Sequence, residues 1–310
     1  MRTTPIPALI AIAIVISTGA CGAPSKKTTM SPSAASAEQA PSTDAPAVRS
    51  GYAAVNGLRY YYEIHGAGEP LLLLHGGLMS IGAMGPVVPA LAKSRQVIAV
   101  DLHGHGRTAL GDRAISMGDM GDDLAALLDE LGYDQVDAVG YSMGGGAAIR
   151  LAVQHPTKVR RLIAVSAAFA RDGYYPELLP LQAQVGAGMA EMMKETPMYT
   201  SYVAVAPNPA EFPTLLDRVG ELMRTPYDWS EDVKTLSMPV MLVYGDSDMI
   251  RLDHVVAFYR LLGGGLRDAG WGREHLAKHR LAILPDATHY DIMEAPALVP
   301  TVLRFLDGGV

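Results

Sequence analysis

The strongest constraint on the fold of this chain is a series of short runs that are apolar at nearly every position. Pro70 to His75 and Gln96 to Asp101 open the series, and Gln135 to Tyr141, Val159 to Val165, Val240 to Tyr244 and Leu281 to Leu284 continue it. A strand apolar on consecutive residues must be covered on both faces, as in a parallel sheet sandwiched between helices. The intervening sequence supplies helices. Pro86 to Lys93 can form one, and Asp119 to Leu131 places Met120, Leu124, Leu127, Leu128 and Leu131 on one face, with Asp122, Asp123 and Asp129 expected outside. The pattern predicts an α/β fold with a mostly parallel central sheet flanked by helices. Ahead of it, Gly51 to Val55 and Leu58 to Ile64 flank Asn56-Gly57, a strong hairpin signal.

The alternation breaks between 169 and 228. Pro180 to Lys194 and Ala210 to Met223 are helical in pattern, with no clear buried strand between them. Such an insertion lies over the strand ends, where open α/β sheets bind ligands, so a helical cap is expected here. Its Met189, Met192, Met193, Met198, Tyr199, Tyr202, Phe212 and Met223 divide between helix packing and the lining of an apolar pocket. The core is then formed by 51–168 and 229–310.

The amino-terminal segment has a different character. Arg2, the apolar stretch Ile6 to Ile16 and Ser17-Thr18-Gly19-Ala20-Cys21 read as a signal peptide over 1–21, too short in its apolar part to span a bilayer comfortably. Residues 22–50 are rich in Ser, Ala, Pro and Thr and have almost no large apolar side chains, the composition of a disordered tether. Cys21 is the single cysteine, so the folded part has no internal disulfide.

Within the core, Gly140-Tyr141-Ser142-Met143-Gly144 sits between the strand ending at Tyr141 and a small-residue helical run from Gly145 to Gln154. With 32 glycines in the chain a bare G-x-S-x-G carries little weight, and the flanks decide. A strand running sharply into a helix needs glycines two before and two after the serine, because side chains there would collide. The turn would hold Ser142 clear of the sheet as a nucleophile. A serine hydroxyl needs a histidine to take its proton and a carboxylate to orient that histidine. Later strand ends supply both: Gly245-Asp246-Ser247-Asp248 after one, and His289 after Pro285-Asp286-Ala287-Thr288 on the other. The chain order Ser, Asp, His is that of one known arrangement of such groups.

From about 51 to 307 the chain resembles the α/β-hydrolase superfamily, in the branch of small esterases, perhydrolases and cofactor-free haloperoxidases. His75-Gly76-Gly77-Leu78, the run Asp101 to Thr108, the serine turn, and His289 followed by Glu294 and Pro296 carry the resemblance. It implies Ser142 as nucleophile, Asp248 as acid with Asp246 the alternative, and His289 as base. It also implies an oxyanion hole from the backbone N–H groups of Gly77 and Met143, with Leu78 close behind. Thr288 stands where relatives often have glycine. Cys21 and the residues before it resemble the lipobox of bacterial lipoproteins, with Thr18 in place of the usual leucine; lipidation of Cys21 would anchor the domain outside the cytoplasm, and plain secretion and an uncleaved anchor are the alternatives.

The expected function is therefore cleavage of a small apolar carboxylic ester through an acyl-enzyme. Perhydrolysis, cofactor-free halogenation, and lactone or thioester cleavage would use the same three residues, and a non-catalytic ligand-binding lipoprotein is the rival from another class. No cofactor or metal is expected: His75, His103 and His105 lack a metal-site spacing and more simply hold their loops. His254, His275 and His279 are expected to face solvent, and Gly263 to Arg280 to form a surface loop from which Trp271 could reach the site. The net charge is −7, and removing Arg2 with the first 21 residues makes it −8, which argues against a nucleic-acid partner. Oligomeric state is not legible.

Overall fold

The computed structural model describes residues 48–308. Cys21, the signal peptide and the tether up to residue 47 lie outside the described residues.

The chain opens with a hairpin of β1 (Arg49–Val55) and β2 (Leu58–His65), in which Val55 faces Leu58 across Asn56-Gly57. Both turn residues have positive φ, 48° and 84°, the geometry that matches the right-handed strand twist and that Asn-Gly tolerates. There follow β3 (Glu69–Leu74), α1 (Val87–Leu91), β4 (Arg95–Val100), α2 (Met117–Glu130), β5 (Val136–Tyr141), α3 (Met143–Gln154) and β6 (Val159–Val165). A helical segment holds α4 (Leu179–Ala183), α5 (Ala190–Met193), α6 (Pro197–Val205), α7 (Phe212–Arg224) and α8 (Ser230–Val233). The chain then returns through β7 (Val240–Ser247), α9 (Leu252–Leu261), β8 (Arg280–Thr288) and α10 (Leu298–Leu306).

The eight strands form one sheet in the order β1-β2-β4-β3-β5-β6-β7-β8. Pairing is parallel from β4 through β8, and β1 and β2 are antiparallel additions at one edge. Because side chains alternate along a strand, the apolar runs split between two cores. Leu72, Leu74, Ile98 and Val100 pack toward the helices α2, α3 and α9, while Leu71, Leu73, Val97 and Ala99 pack toward α1 and α10. Consecutive leucines in β3 thus serve opposite faces. Each is fully buried or nearly so.

Several side chains lie elsewhere than their sequence context suggests. Asp123 is buried, not on the outer face of α2: Tyr60 Oη donates to it at 2.6 Å, Asn56 Nδ2 at 2.8 Å, and Arg113 pairs with it. A carboxylate can enter a core when its lone pairs are met in this way. His254 and His279 are also buried rather than solvent-facing. His254 stacks on Phe169, ring centroids 4.0 Å apart, and accepts from the Phe169 N–H at 3.3 Å, while His279 Nδ1 accepts from the Val240 N–H at 3.2 Å. Neutral imidazoles at these points satisfy backbone donors, and burial lowers both pKa values to about 4. His275 is exposed, and Trp271 is fully exposed on its loop, away from the site.

Candidate active site

β5 ends at Tyr141 and α3 begins at Met143, leaving Ser142 alone to make the turn, with φ 53° and ψ −115°. That conformation is costly for a side chain-bearing residue and is retained where the surroundings enforce it. Here they do. A Cβ on Gly140 would stand 2.1 Å from the Gly144 carbonyl oxygen, and one on Gly144 would stand 2.4 Å from the His75 carbonyl oxygen. The Ser142 N–H donates to the Val165 carbonyl at 2.9 Å, tying the turn to β6. Met143 is the first residue of a 12-residue helix, so its N–H has no acceptor within the helix.

His289 follows β8 and lies against this turn. Its Nε2 is 3.0 Å from Ser142 Oγ and its Nδ1 is 3.0 Å from Asp248 Oδ1. An ionised carboxylate can only accept, so Nδ1 carries the proton and the Nε2 lone pair faces the serine hydroxyl. Tyr141, next to the serine, donates its hydroxyl to the His289 carbonyl at 2.5 Å, fixing the backbone of that loop. The strand end that leads into Ser142 therefore also braces the His289 loop.

Asp248 sits at the end of β7 and is held from three sides. Ser166, at the end of β6 and itself at φ 51°, donates its hydroxyl to Oδ2, and the Ile250 N–H donates to Oδ1 at 3.2 Å. Burial pushes the Asp248 carboxyl up, but the hydrogen bond and charge of His289, with Ser166 and the Ile250 N–H, outweigh it and hold the group below the ordinary carboxylate range. It is thus an anion poised to stabilise a charged imidazole. Asp246, two residues earlier, is exposed and accepts from the Asp286 N–H at 3.2 Å instead.

The loop after β3 closes the opposite wall. Gly77 faces Met143, whose Sδ and Cβ lie 3.7 and 3.8 Å from where a Gly77 Cβ would be, and Leu78 follows at φ 56°. Buried polar groups hold this loop. His75 Nδ1 donates to the Gly76 carbonyl and its Nε2 accepts from the Leu102 N–H at 3.0 Å, which requires a neutral ring; burial lowers its pKa to about 4. Asp101 accepts from the Ile81 and Arg107 N–H groups, both at 2.8 Å. His103 and His105 donate to the Leu110 and His103 carbonyls. These histidines have loop-bracing bonds, and among the described residues no group of three or more His, Cys, Asp or Glu is arranged to hold a metal ion.

Ser142 and His289 open onto a cavity of about 660 Å³ that Gly77, Leu78 and Met143 also line. Its far walls come from the segment between β6 and β7, including Leu181, Val185, Met189, Met198, Met223 and Trp229. Of the apolar residues singled out in the sequence, Met189, Met198 and Met223 line the cavity. Met193, Tyr202 and Phe212 are packed in the core, and Met192 is exposed. Tyr141, Ser166 and Trp229 are site residues that the motifs did not reveal.

A sheet in this order, a serine on the strand-to-helix turn after the fifth strand, and an acid and a histidine after the seventh and eighth coincide with a match of residues 69–198 to the family described as alpha/beta hydrolase fold. The chain has the α/β-hydrolase fold. Proteins named as hydrolases are similar to it in sequence. RutD of Azorhizobium caulinodans, provisionally named a carbamate hydrolase, is 28% identical over 73% of this chain and 90% of its own length. The 2-hydroxymuconate semialdehyde hydrolase of Pseudomonas sp. strain CF600 is 40% identical over a shorter stretch, 36% of this chain and 41% of that hydrolase. Among solved hydrolase structures, carboxylesterase CesB from Bacillus subtilis superposes with a TM-score of 0.64 at 20% identity, over 86% of this chain and 94% of that one. The enol-lactonase from Burkholderia xenovorans LB400 gives 0.62 at 22% identity, over 83% and 100%. At these identities the two structures speak to the fold alone.

Proposed function

We propose that this protein is a serine hydrolase that cleaves carboxylic esters through an acyl-enzyme intermediate. The observation that carries the reading is His289 bridging Ser142 Oγ and Asp248 Oδ1, at 3.0 Å on each side, at the wall of an apolar cavity. In the first half-reaction Ser142 Oγ attacks the ester carbonyl carbon and its proton passes to His289 Nε2. Asp248 stabilises the resulting imidazolium and holds its orientation. The carbonyl oxygen becomes an oxyanion that the Met143 and Gly77 N–H groups would receive, a contribution worth about 3 kcal/mol per donor in comparable sites. Collapse breaks the bond to the alcohol, which leaves with the proton from His289. Water, deprotonated by the same nitrogen, then releases the acid.

The cavity supports a substrate with apolar acyl or alcohol parts, and the kinship with hydrolases supports the reaction class. Ester turnover tests the reading. A chain-length series of nitrophenyl esters should be hydrolysed by the wild type, with Ser142→Ala and His289→Ala each lowering kcat by roughly 10⁵- to 10⁶-fold. Undiminished turnover in either variant would contradict it. A flat, very slow response across esters, lactones and thioesters would favour a binding protein.

We further propose that Cys21 is lipidated and that the domain works outside the cytoplasm on a membrane anchor. This rests on the Ser17-Thr18-Gly19-Ala20-Cys21 segment after an apolar stretch. Cys21→Ala should move the protein from the membrane fraction to the soluble one. Unchanged fractionation would count against the anchor.

A further inference from the structure

The cavity beside Ser142 is apolar over most of its wall, yet two arginines line it, Arg150 and Arg171. They differ in their partners. Arg150 pairs with Asp232, which also lines the cavity, and packs over the Trp229 ring. Arg171 has no such partner: among the described residues no carboxylate comes within ion-pair distance of it. Its Nε donates to the Met223 carbonyl at 2.8 Å, and its backbone N–H to the Tyr227 carbonyl at 3.0 Å. The backbone bond holds the main chain and the Nε bond holds the side chain, while the terminal guanidinium nitrogens have no hydrogen bond among the described residues.

Arg171 is only half-buried, so water can reach its free nitrogens, and an anion entering the cavity would meet an unpaired cation there. Two phenols sit with it. Tyr174 and Tyr227 both line the cavity and lie close enough to Arg171 for its charge to act on them. Burial pushes both phenols above their ordinary pKa, so both stay neutral at physiological pH; they also hydrogen-bond to each other, which leaves one hydroxyl proton of the pair for a ligand. A guanidinium fork flanked by neutral hydroxyls offers donors and no acceptor charge, which is the complement of a carboxylate.

We propose that Arg171, together with the paired hydroxyls of Tyr174 and Tyr227, forms a subsite for a carboxylate on the substrate, so that the preferred substrate is an ester bearing a free carboxylate away from the scissile bond. The inference rests on the ester-hydrolase reading of Ser142, and it replaces a purely apolar substrate with one that is apolar in its middle and anionic at one end. Arg150 serves as the internal contrast. Its charge is already met by Asp232, and it takes no part in the subsite.

The test compares matched pairs of esters. For the acyl side, 4-nitrophenyl hydrogen glutarate is set against 4-nitrophenyl valerate; for the alcohol side, 4-carboxyphenyl butyrate is set against 4-tolyl butyrate. In the wild type, kcat/KM should favour the anionic member of at least one pair. Arg171→Met should lower kcat/KM for that anionic ester by about 10- to 100-fold, the scale of a hydrogen bond to a charged group, and leave its neutral counterpart within about threefold. Arg171→Lys should keep part of the preference. Lack of preference in both pairs, or a preference that survives Arg171→Met, overturns the subsite. An equal loss on both members of a pair overturns it too, because that is the mark of a structural role. Should Arg171→Met fail to fold, the wild-type ratios and Arg171→Lys decide. Failure of the hydrolase reading looks different: no ester of either charge would be turned over.

Discussion

At the residue scale the site depends on side chains that differ widely in how visible they are in the sequence. Ser166 is the clearest case of a hidden one. Its hydroxyl donates to the Asp248 oxygen that His289 does not use, and this bond helps to hold the acid ionised. Ser166→Ala should lower kcat/KM by about tenfold, the scale of one hydrogen bond to a charge. The sign of the pH effect follows from the bond. Losing a donor that favours the carboxylate raises the Asp248 pKa, so the loss of rate should grow as pH falls, whereas a merely structural loss would be the same at every pH. Ser142, Asp248 and His289 were legible because each stands at a strand end in a recognisable pattern. Ser166 also stands at a strand end, but a serine before Ala167-Ala168 has no pattern to mark it. Tyr141 lies inside the motif, yet its bond to the His289 carbonyl spans 148 residues and is a property of the sheet.

At the scale of elements, the junction of β5 and α3 is the part most tightly specified. Gly144→Ala would drive a Cβ to 2.4 Å from the His75 carbonyl, and backbone on both sides cannot yield as a side-chain tip can. A cost of about 1–3 kcal/mol is expected. In a domain of this size that corresponds to a fall in Tm of roughly 2–12 °C, read by thermal melting, with loss of activity because the same carbonyl belongs to the Gly77 loop. The strands were legible because runs such as Leu71 to Leu74 admit few other placements. The segment between β6 and β7 was less so. Pro180 to Lys194 reads as one helix, but Gly186 and Gly188 divide it into α4 and α5. No helical periodicity marks α6, although Thr196 caps it and Pro197 opens it. Its apolar residues are spread around the axis and give no face to detect.

At the scale of the whole molecule, buried neutral histidines set the acid limit of stability. Burial lowers His75 to about 4 and His105 to about 3, against 6.5 in an unfolded chain. Below pH 6.5 the unfolded chain therefore binds protons that the folded protein refuses, and stability is lost as pH falls toward 4. These two groups alone give a slope approaching about 2.7 kcal/mol per pH unit below about pH 5.5, and His254 and His279, also lowered to about 4, steepen it. Asp248 adds its own loss only below the ordinary carboxylate range, because its pKa is depressed. Urea melts should show a roughly constant midpoint above pH 7 and a steep decline between pH 6 and 4. A flat midpoint across that window would mean that these rings are not buried neutral. The histidines hold the loops around Gly77, so the acid limit and the integrity of the site should coincide.

The whole account turns on Ser142 being the group that attacks. The most direct measurement is intact-protein and peptide mass spectrometry after exposure to a fluorophosphonate, which phosphonylates an activated serine and leaves ordinary ones untouched. One adduct per chain, located on the peptide that contains Ser142 and absent from Ser142→Ala, is the predicted result. An unlabelled wild type, or an adduct that persists in Ser142→Ala, would contradict it.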